Sequence, residues 1–303
     1  MIDIRTEIGS LALNNPILTA SGTFGYGDDL PDYVDIKDFG GIVTKSLTRQ
    51  PRDGNAPPRI VETASGMLNS IGLANIGVEA FIRDKLPIIR EKETVIIVNI
   101  AGSRLEEYCE ILELLDGEAG IDAYEINVSC PNIKQGGMEF GVSCPHLKRL
   151  IKALRKLTER PIITKLSPNV TSIEEMAQAA VDAGSDMLSL VNTLVGAAID
   201  IENRRPILST IFGGLSGPAI TPVALAQIFK VYESVNVPII GIGGIGSAED
   251  VIAFLMAGAS AVQIGTMNYR DPGIGLKLMP RIEAWLGEHS IERITDIVGA
   301  AHA

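Results

Sequence analysis

The sequence predicts a (β/α)8 barrel, which is a closed ring of eight parallel strands surrounded by helices. Short apolar runs alternate with amphipathic stretches, and the runs are nearly continuous in Val, Ile and Leu, as in parallel strands covered on both faces. A barrel of about 250 residues with extended loops accounts for the length of 303. The eight runs are PILTAS (16–21), GIVTKS (41–46), TVIIVN (94–99), AYEINV (123–128), PIITKL (161–166), MLSLVN (187–192), PIIGIG (238–243) and SAVQIG (260–265).

Helical patterns separate these runs. Apolar residues recur three and four apart over residues 78–91, 103–115, 145–158, 172–183, 221–234, 247–257 and 275–286. Ser247 followed by Asp250 predicts a capped helix start. Gly184 and Gly258 follow two of the patterns, where a left-handed residue commonly ends a helix. These signals support helices as the connections between strands.

The remaining segments have predictable places around the barrel. The opening IDIRTEIGSLAL predicts a β-hairpin that turns at Gly9-Ser10 and closes the barrel bottom. Long loops follow the second strand (49–74), the fourth (130–141) and the sixth (194–220), on the face where barrel active sites form. An open doubly wound sheet is the alternative fold, but its G-x-G-x-x-G fingerprint is missing after the first strand.

Composition excludes several classes of protein. No apolar run reaches the roughly 18 residues of a membrane span, and MIDIRTEIG lacks the form of a signal peptide, so we expect one cytoplasmic domain over residues 1–303. Three cysteines make a disulfide framework unexpected, and three scattered histidines make a metal site unexpected. The net charge of −11 opposes nucleic acid and anionic membranes. An anionic ligand would therefore need local cations or backbone N–H groups.

Polar residues stand at the ends of the predicted strands, where barrel enzymes carry their functional groups. They are Ser21, Lys45, Ser46, Asn99, Asn127, Ser129, Cys130, Lys165, Asn192 and Thr193. One asparagine in such a place more often caps a strand, but three asparagines with two lysines favour a ligand site. The last two strands end in GIGGIG (241–246) and Gly265-Thr266, which predicts a phosphate site formed by backbone N–H groups and a helix N-terminus, although the glycines could serve only tight turns.

Two lysines and one cysteine are the candidate reactive groups. Lys45 and Lys165 have apolar neighbours, and each suits a structural ion pair, a Schiff-base nucleophile or a cation facing a bound anion. Cys130 lies on a loop among polar residues and proline, where core packing explains little. Its thiolate is a candidate base or nucleophile. Because histidines are few, Cys130 becomes a stronger candidate for acid–base catalysis.

The motifs around these residues resemble the dihydroorotate dehydrogenase family. They cover nearly the whole chain and include TASGTFG (19–25), TKS (44–46), NSIGL (69–73), NVSCPN (127–132), KQGGMEFG (134–141), KLSPN (165–169), Asn192-Thr193 and GIGGI (241–245). The resemblance implies a (β/α)8 barrel that holds FMN and oxidises dihydroorotate to orotate in pyrimidine biosynthesis. The cysteine in NVSCPN is similar to that of the soluble members, since the membrane-bound, quinone-linked members have serine there.

Asn132-Ile133-Lys134 followed by GGMEFG resembles class 1B of the soluble members. That class implies a homodimeric core with two partner subunits, which carry FAD and a 2Fe–2S cluster and pass electrons to NAD⁺. The resulting assembly is a heterotetramer. The alternatives are a fumarate-using homodimer of class 1A, a flavin-free barrel lyase with Lys165 as its Schiff base, and a non-catalytic barrel that binds FMN or a nucleotide without turnover. The presence of Cys130 and both lysines argues against the last of these.

The resemblance also implies roles for individual residues. Cys130 would be the base that removes the C5 proton while the C6 hydride passes to the flavin. The implied substrate contacts are Lys45, Asn69, Ser70, Ile71, Gly72, Leu73, Asn127, Asn192 and Thr193, with Asn132 as a further candidate. The implied FMN contacts are Ser21, Lys45, Ser46, Asn99, Asn127, Lys165, Val191, Gly217, Gly243, Gly244, Gly265 and Thr266.

Overall fold

An antiparallel hairpin opens the fold, as the sequence predicts. The computed structural model describes residues 2–129 and 140–303. Strand β1 (Thr6–Ile8) pairs with β2 (Leu11–Leu13), and Gly9 in the turn has a φ of 60°. Ile8, Leu11 and Leu13 are buried against the inner side chains at the bottom of the barrel. The hairpin therefore closes the amino-terminal end of the barrel.

The eight predicted barrel strands form one closed parallel barrel. They are β3 (Ile17–Thr19), β4 (Gly41–Val43), β7 (Val95–Ala101), β8 (Ala123–Asn127), β9 (Ile162–Lys165), β10 (Met187–Leu190), β15 (Ile239–Ile242) and β16 (Ala261–Ile264). The ring closes where β16 pairs with β3, with Val262 opposite Ile17. The open doubly wound sheet is therefore wrong for this chain.

Helices cover the outside of the barrel. They are α1 (Val78–Ala80), continued by a π-helical turn (Phe81–Lys85) and α2 (Leu86–Ile89), then α3 (Leu105–Asp116), α4 (Cys144–Arg155), α5 (Ile173–Val181), α6 (Thr221–Ser234), α7 (Ala248–Met256) and α8 (Ile274–Glu288). The first connection departs from the strand–helix repeat of a (β/α)8 barrel, because only a 3-10 turn (Ile36–Asp38) lies between β3 and β4. Gly184 and Gly258 have φ values of 105° and 113°, as expected after helices.

Two of the long segments form sheets of their own above the barrel. Strands β5 (Ile60–Thr63) and β6 (Gly66–Asn69) follow the second barrel strand, and β11 (Leu194–Ala197) and β14 (Phe212–Ser216) follow the sixth. Together they make one antiparallel sheet in the order β11–β14–β6–β5. A small pair, β12 (Ile199–Asp200) with β13 (Arg205–Pro206), extends the second segment. These two long segments are thus where the sequence predicts them, but their joint sheet was not predicted, and most of the predicted loop 130–141 lies outside the described residues.

The barrel interior changes from apolar to polar along its axis. The bottom layer consists of Leu18, Val43, Ile97, Ala123, Ile163, Met187, Ile240 and Ala261. Side chains two residues apart on a strand share a face. The next inner layer therefore contains Asn99, Glu125, Lys165, Ser189 and Gln263, all of which are buried. The apolar floor supports a polar layer directly beneath the carboxyl-terminal face.

Candidate active site

Glu125 is the centre of the buried polar layer. Its side chain has no solvent exposure and accepts hydrogen bonds from Asn99 Nδ2 at 2.6 Å, Ser189 Oγ at 2.8 Å and Gln263 Nε2 at 2.6 Å. Lys165 Nζ lies 3.3 Å from Glu125 Oε1. Five barrel strands thus contribute to one network, whose charges are paired inside a low-dielectric interior.

Lys165 connects this network to the first barrel strand. Its Nζ also donates to Ser21 Oγ at 3.3 Å, and both side chains are buried. The structure therefore brings together three predicted residues, Ser21, Asn99 and Lys165. Of the three interpretations of Lys165, the ion pair is present, and it leaves the ammonium able to face a bound anion.

A pair of asparagines joins the fourth and sixth strands above the network. Asn192 Nδ2 donates to Asn127 Oδ1 at 3.3 Å, and the same oxygen accepts from the Ser129 N–H at 3.2 Å. Asn192 Oδ1 accepts from the Thr193 N–H at 2.8 Å. Asn169 Nδ2 donates to Thr193 O at 2.9 Å, which fixes the start of the segment after β10. The predicted residues Asn127, Asn192 and Thr193 therefore form one cluster.

Two asparagines that were not predicted as site residues hold the segment 69–73 over the barrel. Asn55 Nδ2 donates to Ser70 O at 2.8 Å, and the Asn55 N–H donates to Ile71 O at 2.9 Å. Buried Asn75 donates from Nδ2 to Leu73 O at 2.7 Å and to Thr48 Oγ1 at 2.8 Å.

The backbone of this segment is constrained as well. Gly72 and Leu73 both have positive φ, at 77° and 57°, and the second value is unusual for a branched residue. Asn69 Nδ2 reaches Gly214 O at 3.4 Å across the antiparallel sheet. The predicted substrate segment Asn69–Leu73 is thus a shaped turn supported from both sides.

Lys45 is a half-buried cation near a second cation. Its N–H donates to Gly25 O, and its Nζ has no hydrogen-bond partner in residues 2–129 and 140–303. Burial, and secondarily the charge of Arg59, lower the pKa of Lys45 from its ordinary value. Arg59 is itself held by Asp53 O and Asn55 O at 3.2 and 3.3 Å. An anion bound beside Lys45 would offset both the loss of solvation of its ammonium group and the repulsion by Arg59.

Glycines follow the last two barrel strands and strand β14 of the antiparallel sheet, and several of them are closely packed. Gly217, Gly243 and Gly244 have φ values of 94°, 143° and 74°. Thr266 Oγ1 donates to Ser216 Oγ at 2.8 Å, and Gly217 packs near Thr266. Gly265 has negative φ and nothing closer than 3.5 Å to the position of a Cβ. Close packing thus explains why residues 243 and 244 are glycine, whereas it does not explain why residue 265 is glycine.

Backbone donors remain available beside these glycines. In the described chain, no backbone acceptor engages the N–H groups of Gly244, Gly265 and Thr266. The N-terminus of α7, in contrast, is closed by its own capping box: Ser247 Oγ accepts from the Asp250 N–H at 3.1 Å and Asp250 Oδ2 accepts from the Ser247 N–H at 2.9 Å. The capping box engages the N–H groups of Ser247 and Asp250 and places a carboxylate at this helix end, so the contribution of α7 to a phosphate site stays a prediction.

We expect Gly244→Ala to lower the free energy of unfolding by about 1–3 kcal/mol, because alanine at positive φ is strained. A Cβ there would also overlap Thr221 Oγ1 and lie 2.6 Å from Gly217 O. Chemical denaturation measures the loss. Gly287→Ala is the matched control, since Gly287 is exposed within α8 and its Cβ would meet no atom within 4 Å. The control should be neutral or slightly stabilising; equal losses in the two variants would contradict the packing argument.

The remaining predicted residues are placed as follows. Ser46 and Val191 are buried beside Lys45 and at the end of β10, and the Val191 N–H donates to Ile242 O at 2.8 Å. Cys130 and Asn132 lie outside the described residues. Within those residues there is no group of three His, Cys, Asp or Glu side chains arranged for a metal ion. None of the helices in the same residues combines the length and the apolar composition that a membrane span requires.

Several important residues were missed from the sequence, although a signal was available. Glu125, Ser189 and Gln263 are polar residues in the interior of largely apolar strands, in AYEINV, MLSLVN and SAVQIG. A charged residue on a strand buried on both faces requires a partner. Side chains two residues apart on a strand lie on the same face. Counting two positions onward from the apolar bottom layer on each strand would therefore have predicted the polar layer.

Comparison with known proteins identifies the family. The family model described as dihydroorotate dehydrogenase matches residues 3–286. The chain belongs to the dihydroorotate dehydrogenase family. It is similar over 98% of both chains to proteins of Pelobacter propionicus and Geotalea uraniireducens, at 51% and 50% identity over 298 residues. A protein of Bacteroides thetaiotaomicron is 47% identical over 99% of both chains. All three relatives are named dihydroorotate dehydrogenase B (NAD(+)), catalytic subunit.

Proposed function

We propose that this protein oxidises dihydroorotate to orotate with FMN and passes the electrons through a partner subunit to NAD⁺, in pyrimidine biosynthesis. The observation that carries the proposal is full-length similarity, at about half identity, to catalytic subunits of NAD⁺-linked dihydroorotate dehydrogenases. The site geometry supports it, because an amide-rich layer with the Lys165–Glu125 ion pair lies beneath the carboxyl-terminal face of the barrel.

The chemistry of the buried residues fits FMN. Asn99 Oδ1 is a buried acceptor without a partner in the described ranges, and Lys165 provides a buried cation. The free N–H groups near Gly244 and Gly265 suit a phosphate. We propose that these groups hold FMN together with Ser21, Lys45, Ser46, Asn127, Val191, Gly217, Gly243 and Thr266. The local positive groups offset the overall negative charge.

Substrate recognition is proposed for the residues above the polar layer. Lys45 offers a desolvated cation to a carboxylate, and Asn127 and Asn192 offer both donors and acceptors to a cyclic diamide. The turn Asn69–Leu73 and Thr193 complete the proposed set, with Asn132 as a further candidate. Asn55, Asn75 and Asn169 position these groups through the backbone contacts described above.

The proposed reaction divides between the flavin and one side chain. FMN, when bound, supplies the acceptor for the hydride that leaves substrate C6. Cys130 removes the proton from C5, on the resemblance of NVSCPN to the cysteine-dependent members of the family. The asparagines and Lys45 hold the substrate so that the base meets C5 with little loss of orientation. The ammonium group of Lys165 stabilises the negative charge that develops beside it in the course of the reaction.

A partner subunit is part of the proposal. The relatives are named catalytic subunits, which supports an assembly with a second kind of chain. We propose a homodimeric core with two subunits that carry FAD and a 2Fe–2S cluster, located in the cytoplasm. Val195, Ile199, Ile201 and Phe212 are more than half exposed near the antiparallel sheet, as at protein–protein interfaces. This exposed apolar surface supports association of the chain with other subunits.

The purified protein should bind FMN, appear yellow and lose its flavin absorbance on anaerobic addition of dihydroorotate. Rapid-scan absorbance measures the reduction, and orotate is quantified in the same sample. NAD⁺ should accept electrons only when the partner subunit is present. A protein that takes up no FMN, or whose bound FMN is not reduced by dihydroorotate, would refute the proposal.

The alternatives predict different results. Turnover of the isolated chain with fumarate would place it with the fumarate-using homodimers. A flavin-free lyase would be trapped by borohydride as an adduct on Lys165. The family assignment disfavours the lyase.

A further inference from the structure

Glu125 has no role in the proposed chemistry, although it is the most connected side chain of the polar layer. A fully buried carboxylate is retained only where its partners compensate for lost solvation. Four side chains do so, from four other barrel strands: Asn99, Lys165, Ser189 and Gln263. Two of them, Asn99 and Lys165, belong to the proposed FMN site.

An ionised carboxylate accepts hydrogen bonds and donates none, so it dictates how its amide neighbours are oriented. Asn99 and Gln263 both present their NH2 groups to Glu125. Their other amide atoms, Asn99 Oδ1 and Gln263 Oε1, are buried and have no partner in the part of the chain that the structure describes. Glu125 therefore turns two acceptor oxygens away from itself, while it holds the donor Lys165 in place.

We propose that Glu125 is a positioning residue that sets the hydrogen-bond polarity and the electrostatic potential of the FMN site. The inference rests on the proposed function. The pyrimidine end of an isoalloxazine has one N–H between two carbonyl groups, so it needs an acceptor beside donors. Asn99 Oδ1 supplies the acceptor and Lys165 Nζ the cationic donor, and both are oriented by the same carboxylate.

The charge of Glu125 gives the inference a measurable sign. Two-electron reduction of FMN leaves the ring with more negative charge near neutral pH, which Lys165 stabilises. Glu125 lies 3.3 Å from the same ammonium and offsets part of its field. Removing the negative charge should therefore favour reduced FMN, whereas removing the positive charge of Lys165 should disfavour it.

Glu125→Gln tests the proposed effects on hydrogen-bond polarity and on electrostatic potential. Glutamine is nearly isosteric with glutamate, but it is neutral and introduces an NH2 donor into a cluster of donors. We expect FMN to bind at least tenfold more weakly, as measured by fluorescence titration of flavin-free protein. We also expect a tenfold preference for reduced over oxidised FMN relative to wild type. This corresponds to a midpoint potential about 30 mV higher for a two-electron couple, measured against a reference dye. Lys165→Met should shift the potential in the opposite direction.

Ser189→Ala provides a milder test should Glu125→Gln fail to fold. It removes only the 2.8 Å hydrogen bond to Glu125 Oε2 and should weaken FMN binding several-fold. Ser185→Ala is the matched control: Ser185 is equally buried, and its hydroxyl bonds Thr164 Oγ1 and Met187 O, each at 2.8 Å, away from the polar layer. FMN affinity and potential should be unchanged in this control.

Three outcomes separate the possibilities. Wild-type FMN affinity and potential in Ser189→Ala, or in folded Glu125→Gln, would overturn the inference and leave Glu125 with only a structural role. Equal losses of affinity in Ser189→Ala and Ser185→Ala would overturn it as well. A wild-type protein that binds no FMN removes the proposed function and the inference together, and this result precedes any variant.

Discussion

Cys130→Ser should bind FMN and dihydroorotate but reduce flavin about 10²–10⁴-fold more slowly at neutral pH. A serine hydroxyl is a much weaker acid than a thiol, so its alkoxide is scarcely available as a base. Stopped-flow absorbance under anaerobic conditions isolates the reductive step from later electron transfer. The flavin-reduction rate of the variant should also continue to rise at pH values where the wild-type rate has already levelled off. The reason is that the serine hydroxyl loses its proton only at higher pH than the cysteine thiol.

The other cysteines provide controls for Cys130. Cys144 is half-buried at the start of α4, with Sγ 3.4 Å from Met176 Sδ, and Cys109 lies on α3. Burial and nearby glutamates raise the pKa of Cys109, so its thiolate is disfavoured. Cys144→Ser and Cys109→Ser should reduce flavin at nearly the wild-type rate. A Cys130→Ser rate within threefold of these controls would remove Cys130 from the role of base.

The sequence was sufficient to predict the barrel because parallel strands buried on both faces have a distinctive composition. Seven of the eight apolar runs contain their barrel strand, the run 94–99 stops two residues short of the end of β7, and the turn at Gly9-Ser10 was also correct. The helical patterns begin only at residue 78, in agreement with the 3-10 turn that connects β3 and β4. The antiparallel sheet was missed, because its partners β6 and β14 are about 145 residues apart and neither segment specifies the other.

The candidate site was predictable where polar residues end a strand, and less so where they lie within one. Ser21, Asn99 and Lys165 were predicted and are brought together, but their common partner Glu125 was not identified. Strand-end position was the criterion used, and Glu125 lies in the middle of its strand. The capped start of α7 was predicted from Ser247 and Asp250 and is present, whereas the phosphate site beside it stays a prediction.

Lys165→Met should lower the free energy of unfolding by about 3–5 kcal/mol, because it leaves Glu125 as an uncompensated charge inside the barrel. Methionine keeps most of the aliphatic volume, so cavity formation contributes little. Urea denaturation of protein stripped of flavin measures the loss without a contribution from cofactor binding. Lys148→Met is the control: its 2.9 Å pair with Asp182 has side-chain exposures of 40% and 44%, and should contribute less than about 1 kcal/mol.

A second substitution separates the charge of Glu125 from other effects of losing Lys165. Adding Glu125→Gln to Lys165→Met removes the unpaired carboxylate, so the double variant should be more stable than Lys165→Met alone. If desolvation of Glu125 dominates, the recovery should exceed half of the original loss. A double variant less stable than either single variant would show that the two side chains stabilise the barrel independently. The buried pair would then contribute through packing and hydrogen bonds rather than through compensation of charge.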